Sequence, residues 1–198
     1  MMVKQTVSLL LLAVVVFVSS GCGTEIPRVQ QNGSPTAGIG NNTPFTNRLH
    51  KELVTPDPNY DPVTVKQSLY NRISVLSSSG EKVQLNAHTQ PVLFEAYWCP
   101  HCQRTLVLLH QNLKSLHHQP ILVSSGFAAG TTLRQAVALS HAEIKDLGLN
   151  GFKVYYILGN NYSKFVPVGF PTLIFKQKNQ LNMLSGEHTL SVWQKALG

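Results

Sequence analysis

The chain has 198 residues, 43% of them hydrophobic and 13% charged, with a net charge of +7. The length suits one catalytic domain plus a leader, and the hydrophobic fraction is ordinary for a globular protein. Lys and Arg are scattered singly, without basic runs or aromatic interleaving. A mildly basic solvated surface is therefore expected, attraction to an anionic membrane or wall polymer is the alternative, and no nucleic-acid partner is expected.

The N-terminus reads as an export signal over residues 1–21. Lys4 is the positive flank, Val7 to Val18 a short apolar core, and Ser19-Ser20-Gly21 the small residues before Cys22. The core is too short for a comfortable membrane span of ~20 apolar residues. Residues 22–60 turn to Gly, Pro, Asn, Gln and Thr and are read as a flexible tether. Some 35 residues of such coil span roughly 30–35 Å.

The folded domain is expected over residues 61–198. Asp61-Pro62 reads as an N-cap with proline at the first helical position, followed by Val65, Leu69, Ile73 and Leu76 at helical spacing. Ser77 to Gly80 ends that helix, and Lys82 to Leu85 is a short strand. Pro91 to Tyr97 reads as a central strand, apolar at nearly every position. It runs into Cys99-Pro100-His101-Cys102, from which a helix with Leu106, Leu109, Leu113 and Leu116 is expected to continue to about His118. Ile121 to Val123 is a buried strand. Thr131 or Thr132 caps a helix through Ala136, Leu139 and Ile144, stopped by Gly148. Phe152 to Leu158 is ambiguous between strand and helix. Phe170 to Phe175 and Leu181 to Leu184 read as strands, and His188 to Leu197 as the closing helix. Alternating strands and helices that end in a hairpin and a helix imply an α/β fold, a central sheet with helices on both faces.

Two cysteines three positions apart at a strand-to-helix turn can close a tight disulfide. The N–H groups and dipole of the helix N-terminus favour negative charge on the first sulfur. A stabilised thiolate attacks other disulfides at neutral pH and leaves easily, which is redox chemistry.

The leader resembles the signal of a bacterial lipoprotein, which implies lipidation of Cys22 after cleavage and an extracytoplasmic domain anchored to the cell membrane. Plain secretion and an uncleaved anchor are the alternatives. With Cys22 lipidated, Cys99 and Cys102 are each other's only partners.

The order of elements, with the cysteine pair at a strand-to-helix turn and Gly169-Phe170-Pro171-Thr172 about seventy residues later, resembles the thioredoxin fold over residues 62–198. Cys-Pro-His-Cys resembles the DsbA-like disulfide oxidases. The wider Ala96-Tyr97-Trp98-Cys99-Pro100-His101-Cys102-Gln103 is similar to the thioredoxin-like domains associated with vitamin K epoxide reductase homologues. The resemblance implies Cys99 as exposed nucleophile, Cys102 as the more buried resolving thiol, Pro100 and His101 as residues that tune the thiolate, and Pro171 as a cis-proline lying against the disulfide. Phe170, Trp98 and Thr172 are the expected substrate contacts. The family usually keeps a buried acid where this chain has Leu93. Glu95, two residues on and hence on the same face of the strand, is expected either to take over proton relay toward Cys102 or to be a partly solvated carboxylate.

The histidines His110, His117 and His118 are expected to be satisfied or solvent-facing, since no spacing forces three or four metal ligands together. No cofactor and no metal are expected. The favoured function is an extracytoplasmic thiol–disulfide oxidoreductase that oxidises exported proteins. A membrane redox partner, for example a quinone-linked oxidase, would reoxidise it. The alternatives are a reductase on the same fold, as in cytochrome c maturation, and an exported copper chaperone using two thiolates and a histidine.

Overall fold

The computed structural model describes residues 44–198. The signal-like segment, Cys22 and the tether up to residue 43 lie outside the described residues.

Among the described residues eight strands and four α-helices follow one another. They are β1 (Val63–Thr64), α1 (Gln67–Tyr70), β2 (Ile73–Leu76), β3 (Lys82–Leu85), β4 (Val92–Glu95), α2 (Pro100–Gln111), β5 (Ile121–Ser124), α3 (Leu133–Leu147), β6 (Val154–Tyr156), β7 (Thr172–Gln177), β8 (Gln180–Ser185) and α4 (Leu190–Leu197). The strands form one sheet in the order β1-β8-β7-β4-β5-β6-β2-β3. β5 runs parallel to both β4 and β6, and the remaining pairings are antiparallel.

Alternation along the strands divides the core in two. Val92, Phe94, Ile121, Val123, Tyr155 and Ile174 face one side, where they meet Tyr70 of α1 and Phe165 beyond a 3-10 turn at Gly159–Tyr162. Leu93, Leu122, Leu173 and Phe175 face the other and pack against α2, α4 and the Ile144–Leu147 end of α3. The three longer helices thus share one face, and α1 with the 3-10 turn covers the other. A parallel β4–α2–β5 unit beside an antiparallel β7–β8 hairpin with a closing helix is a thioredoxin-like arrangement. Among the described residues no helix is long and apolar enough to cross a membrane.

Local chemistry explains most boundaries. α3 starts at Thr132 in a reciprocal capping box with Gln135 and ends at Gly148 in the left-handed conformation, φ +67°. The β7–β8 turn places Lys178 and Asn179 at positive φ, as a tight two-residue hairpin turn requires.

Three expectations are corrected. The helix read over residues 61–76 is a short strand, one helical turn and β2. Ile73 and Val75 are buried while Ser74 between them is exposed, a period of two that pairs with β3. The three- and four-residue spacing of Leu69, Ile73 and Leu76 matched the helical period by coincidence. Second, α2 stops at Gln111, not His118: the Asn112 side chain donates to the Leu108 carbonyl at 2.8 Å, and a 3-10 turn follows at Leu113–Ser115. Third, residues 45–60, read as tether, pack on the domain. Phe45 joins the cluster of Tyr97, Phe127 and Tyr156, and Tyr60 packs beside α4. The Asp57 N–H donates to the Glu187 carbonyl at 2.9 Å and the Asp57 carbonyl accepts from Thr189 at 3.1 Å.

Candidate active site

β4 ends beneath the site. Its continuation turns at Ala96, whose carbonyl accepts the Cys99 N–H at 2.8 Å, and α2 begins at once. Cys99 is the N-cap, in extended conformation, and Pro100 occupies the first helical position, where no N–H is needed. The Cys102 N–H donates to Sγ of Cys99 at 3.4 Å, so the sulfur fills the place of a capping oxygen. Both cysteines are free thiols. Cys99 is only 4% exposed and Cys102 fully buried. The first thiol is thus not the open nucleophile expected from the resemblance: Trp98 and Phe170 cover it.

The electrostatics of the two sulfurs diverge. The Cys102 thiol, by hydrogen bonding to Cys99, is the main influence that lowers the Cys99 pKa. Burial opposes it, the N–H groups of Cys102 and His101 add to it, and the charge of Glu95 works against it. Burial pushes the Cys102 pKa well up, and the hydrogen bond and charge of Cys99, then the charge of Glu95, push it further. One thiol is poised to ionise and its neighbour to keep its proton.

The Phe170–Pro171 peptide bond is cis. The Phe170 carbonyl lies 3.8 Å from Sγ of Cys99 and accepts from the thiol. The Phe170 ring meets Trp98 edge-on at 6.1 Å between centroids and Tyr162 at 5.4 Å. Trp98 is tied down by its indole N–H, which donates to the Gly126 carbonyl at 2.8 Å. Gly126 has φ +70°, and a Cβ there would sit 3.0 Å from Cε2 of Phe170. Gly126, Trp98, Phe170 and Tyr162 thus form one braced aromatic wall beside the sulfur. Thr172 does not belong to it. It is completely buried, and its hydroxyl donates to the Gly169 carbonyl at 2.6 Å and lies 3.1 Å from Ser185 Oγ, so it holds the proline loop and is not exposed for a substrate to contact.

Glu95 is 1% exposed, which removes the partly solvated alternative. Register places Glu95, Ser124 and Tyr156 side by side across β4, β5 and β6. Leu93, on the same face one step back, belongs to the apolar cluster. Burial raises the Glu95 pKa to about 7, against a smaller pull from the Ser124 hydroxyl. A second carboxyl, Glu143 on the sheet-facing side of α3, is also 1% exposed. Burial pushes it well above the carboxylate range, and the charges of Glu95 and then Cys99 add to this. Oε2 of Glu95, Oε1 of Glu143 and Oγ1 of Thr105 have no hydrogen-bond partner among the described residues.

The His101 ring engages a carboxylate and a guanidinium. Its Nδ1 lies 3.0 Å from Oε2 of Glu187 and 3.0 Å from Nη2 of Arg104. Arg104 donates to the same carboxylate from Nε at 2.9 Å and from Nη2 at 2.8 Å. Burial by itself would raise the Glu187 pKa; the Arg104 and then the His101 hydrogen bonds outweigh it and hold the carboxyl below its ordinary value. The remaining Arg104 donors reach the carbonyls of Leu49, Lys51 and Glu52. Gln103, fully buried, donates to the carbonyls of Tyr97 and Thr46 at 2.8 and 3.1 Å and accepts the Arg48 N–H at 2.6 Å. These two neighbours of the cysteine pair strap residues 46–52 across α2.

Sequence reasoning missed Glu143, Glu187, Arg104, Tyr162 and Gly126. Glu143 alone left a signal, since it falls seven residues after Ala136 on the apolar stripe of α3. Among the described residues no group of three or more His, Cys, Asp or Glu side chains converges to hold a metal.

No protein-family model matches the chain, and no curated protein does. Solved structures resemble it in part. The exposed lipoprotein thioredoxin Etrx1 of Streptococcus pneumoniae is 17% identical with a TM-score of 0.45, over 64% of this chain and 97% of that one. StoA of Bacillus subtilis is 16% identical with a TM-score of 0.44, over 66% and 98%. A thio-disulfide isomerase of Thermus thermophilus is 16% identical with a TM-score of 0.45, over 73% and 95%. The fold assignment rests on strand order and connectivity, not on these likenesses.

Proposed function

We propose that the chain is an extracytoplasmic, membrane-tethered thiol–disulfide oxidoreductase that oxidises protein thiols through a Cys99–Cys102 disulfide. The observation that carries this reading is the opposed electrostatics of two neighbouring thiols at one helix N-terminus. A substrate thiolate attacks Sγ of Cys99, the S–S bond breaks, and its electron pair leaves on Cys102. That sulfur takes a proton, for which Glu95, titrating near neutrality behind it, is the proposed donor. The substrate's second thiolate then attacks the substrate sulfur of the mixed disulfide. A substrate disulfide forms, Cys99 departs as a stabilised thiolate, and two electrons remain on the protein. A membrane redox partner removes them. The Trp98–Phe170 wall and the proline loop supply the surface on which an extended, thiol-bearing chain is read. Cys22 is the proposed lipid attachment point.

The test mixes the oxidised full chain with a reduced dithiol peptide. One peptide disulfide per protein is expected, and none with Cys99→Ser. Equilibration with glutathione decides the direction: a potential near or below ~−270 mV would make the protein a reductase. The carboxylate beside His101 is the observation that favours that second reading. Replacement of Cys22 by Ala is expected to release the protein from the membrane fraction.

A further inference from the structure

Cationic groups near a helix N-terminal thiolate stabilise the reduced form and make the couple more oxidising. One such group, Arg104, stands on the first turns of α2 and ends on a carboxylate that also meets the His101 ring. Glu187 accepts two guanidinium hydrogen bonds at 2.9 and 2.8 Å and has His101 Nδ1 at 3.0 Å. Its side chain is 7% exposed, well inside the range where a charge pair is poorly screened. The Glu187 hydrogen bond and, to a lesser degree, the charge of Cys99 raise the Arg104 pKa, so carboxylate, guanidinium and sulfur are electrostatically linked.

The placement of Glu187 is built and not incidental. Gly186, φ +102°, turns the chain out of β8, and its N–H donates to the Pro171 carbonyl at 2.8 Å. The Glu187 carbonyl accepts the Asp57 N–H at 2.9 Å. The residue is pinned on one side to the proline loop and on the other to Asp57, with its side chain directed at α2.

We propose that Glu187 is a positioning residue that restrains the oxidising power of the Cys99/Cys102 couple, neutralising Arg104 and fixing the His101 ring beside it. This rests on the oxidoreductase reading and names the residue that adjusts its direction. With Glu187 in place, Cys99 feels the helix N-terminus but no unopposed cation.

The test equilibrates the full chain and its Glu187→Gln variant with glutathione, protein disulfide plus two glutathiones giving dithiol plus glutathione disulfide. The amide still accepts from Arg104, but the charge is gone. The equilibrium is expected to move toward the dithiol by about tenfold, ~30 mV for two electrons. The pH midpoint for alkylation of Cys99 is expected to fall. Glu187→Asp, which keeps the charge, should restore most of both, and Arg104→Gln, which leaves the carboxylate unopposed, should move both the other way. An equilibrium within twofold of wild type for Glu187→Gln, or a shift toward the disulfide, overturns the proposal. Should Glu187→Gln not fold, the Arg104→Gln shift decides by its sign. A wild-type chain that forms no disulfide with glutathione would refute the oxidoreductase reading, and the alkylation midpoints, which need only the thiol, would still decide the role of Glu187.

Discussion

Glu95→Gln separates the cost of a buried acid from its use. The folded protein holds the Glu95 pKa at about 7 against 4.5 for the free group. Folding therefore favours the protonated form. In the window between those values the native state binds more protons than the unfolded chain, so stability is full below pH 4.5 and drains away as the pH rises through 7. At ~1.4 kcal/mol per unit, the ionisation penalty is about 1 kcal/mol at pH 5 and about 3 kcal/mol at pH 8. Glutamine has nearly the same shape and cannot ionise. The variant is expected to gain stability over wild type as the pH rises, by ~2 kcal/mol between pH 5 and pH 8. Urea denaturation of both proteins as dithiols, at the two pH values, measures this. Peptide oxidation should move the opposite way, slower for the variant at neutral pH, because Cys102 loses its proton partner. A stability difference that does not change with pH would refute the placement of an ionisable, buried carboxyl behind the cysteines.

Three further changes have definite expectations. Gly126→Ala places a methyl against Phe170 at a positive φ and should cost ~1–3 kcal/mol of stability by chemical denaturation, with a change in Trp98 fluorescence as the wall shifts. Gln103→Ala removes three hydrogen bonds and leaves the Tyr97 carbonyl short of a partner. A loss of ~2–4 kcal/mol and faster proteolysis between residues 46 and 54 are expected. Cys102→Ala deletes the largest influence that lowers the Cys99 pKa, so the pH midpoint for Cys99 alkylation should rise; a midpoint unchanged or lower would contradict the assignment.

What the sequence showed was whatever local rules control. The cysteine pair at a strand-to-helix turn, Pro100 at the first helical position, the Thr132 and Gly148 ends of α3 and the β7–β8 hairpin all follow from residues a few positions apart. The errors arose where a local pattern had two readings. Leu69, Ile73 and Leu76 suit a helix stripe, yet the alternation of Ile73, Ser74 and Val75 belongs to a strand that needed β3 to reveal it. The leucine spacing carries a helix on to about His118, but Asn112 bonding back to Leu108 ends it sooner. Residues 45–60 carry loop composition, and the partners that hold them, Gln103 and Arg104 on α2 and Glu187 and Thr189 near α4, lie far away in the chain. Glu187 lies 83 and 86 residues from the partners it binds, beyond any spacing argument.

That division between local and distant contributions bears on the chemistry itself. A helix N-terminus, a capping sulfur and a proline at the first turn stabilise a thiolate whether electrons flow in or out, so the motif alone does not choose a direction. The choice falls to charges brought from elsewhere. Arg104 on α2 favours the thiolate and hence oxidation. Against it stand Glu95 at the end of β4, whose charge raises both thiols, and Glu187 beyond β8, which pairs with Arg104. Burial pushes the pKa of Glu143 on α3 well up, and the charges of Glu95 and Cys99 push it further. Removal of either active carboxylate should therefore push the couple the same way, toward a more stable dithiol. The two sites approach the sulfurs from different elements and share no hydrogen bond, so their effects on the glutathione equilibrium are expected to multiply in the Glu95→Gln, Glu187→Gln double variant.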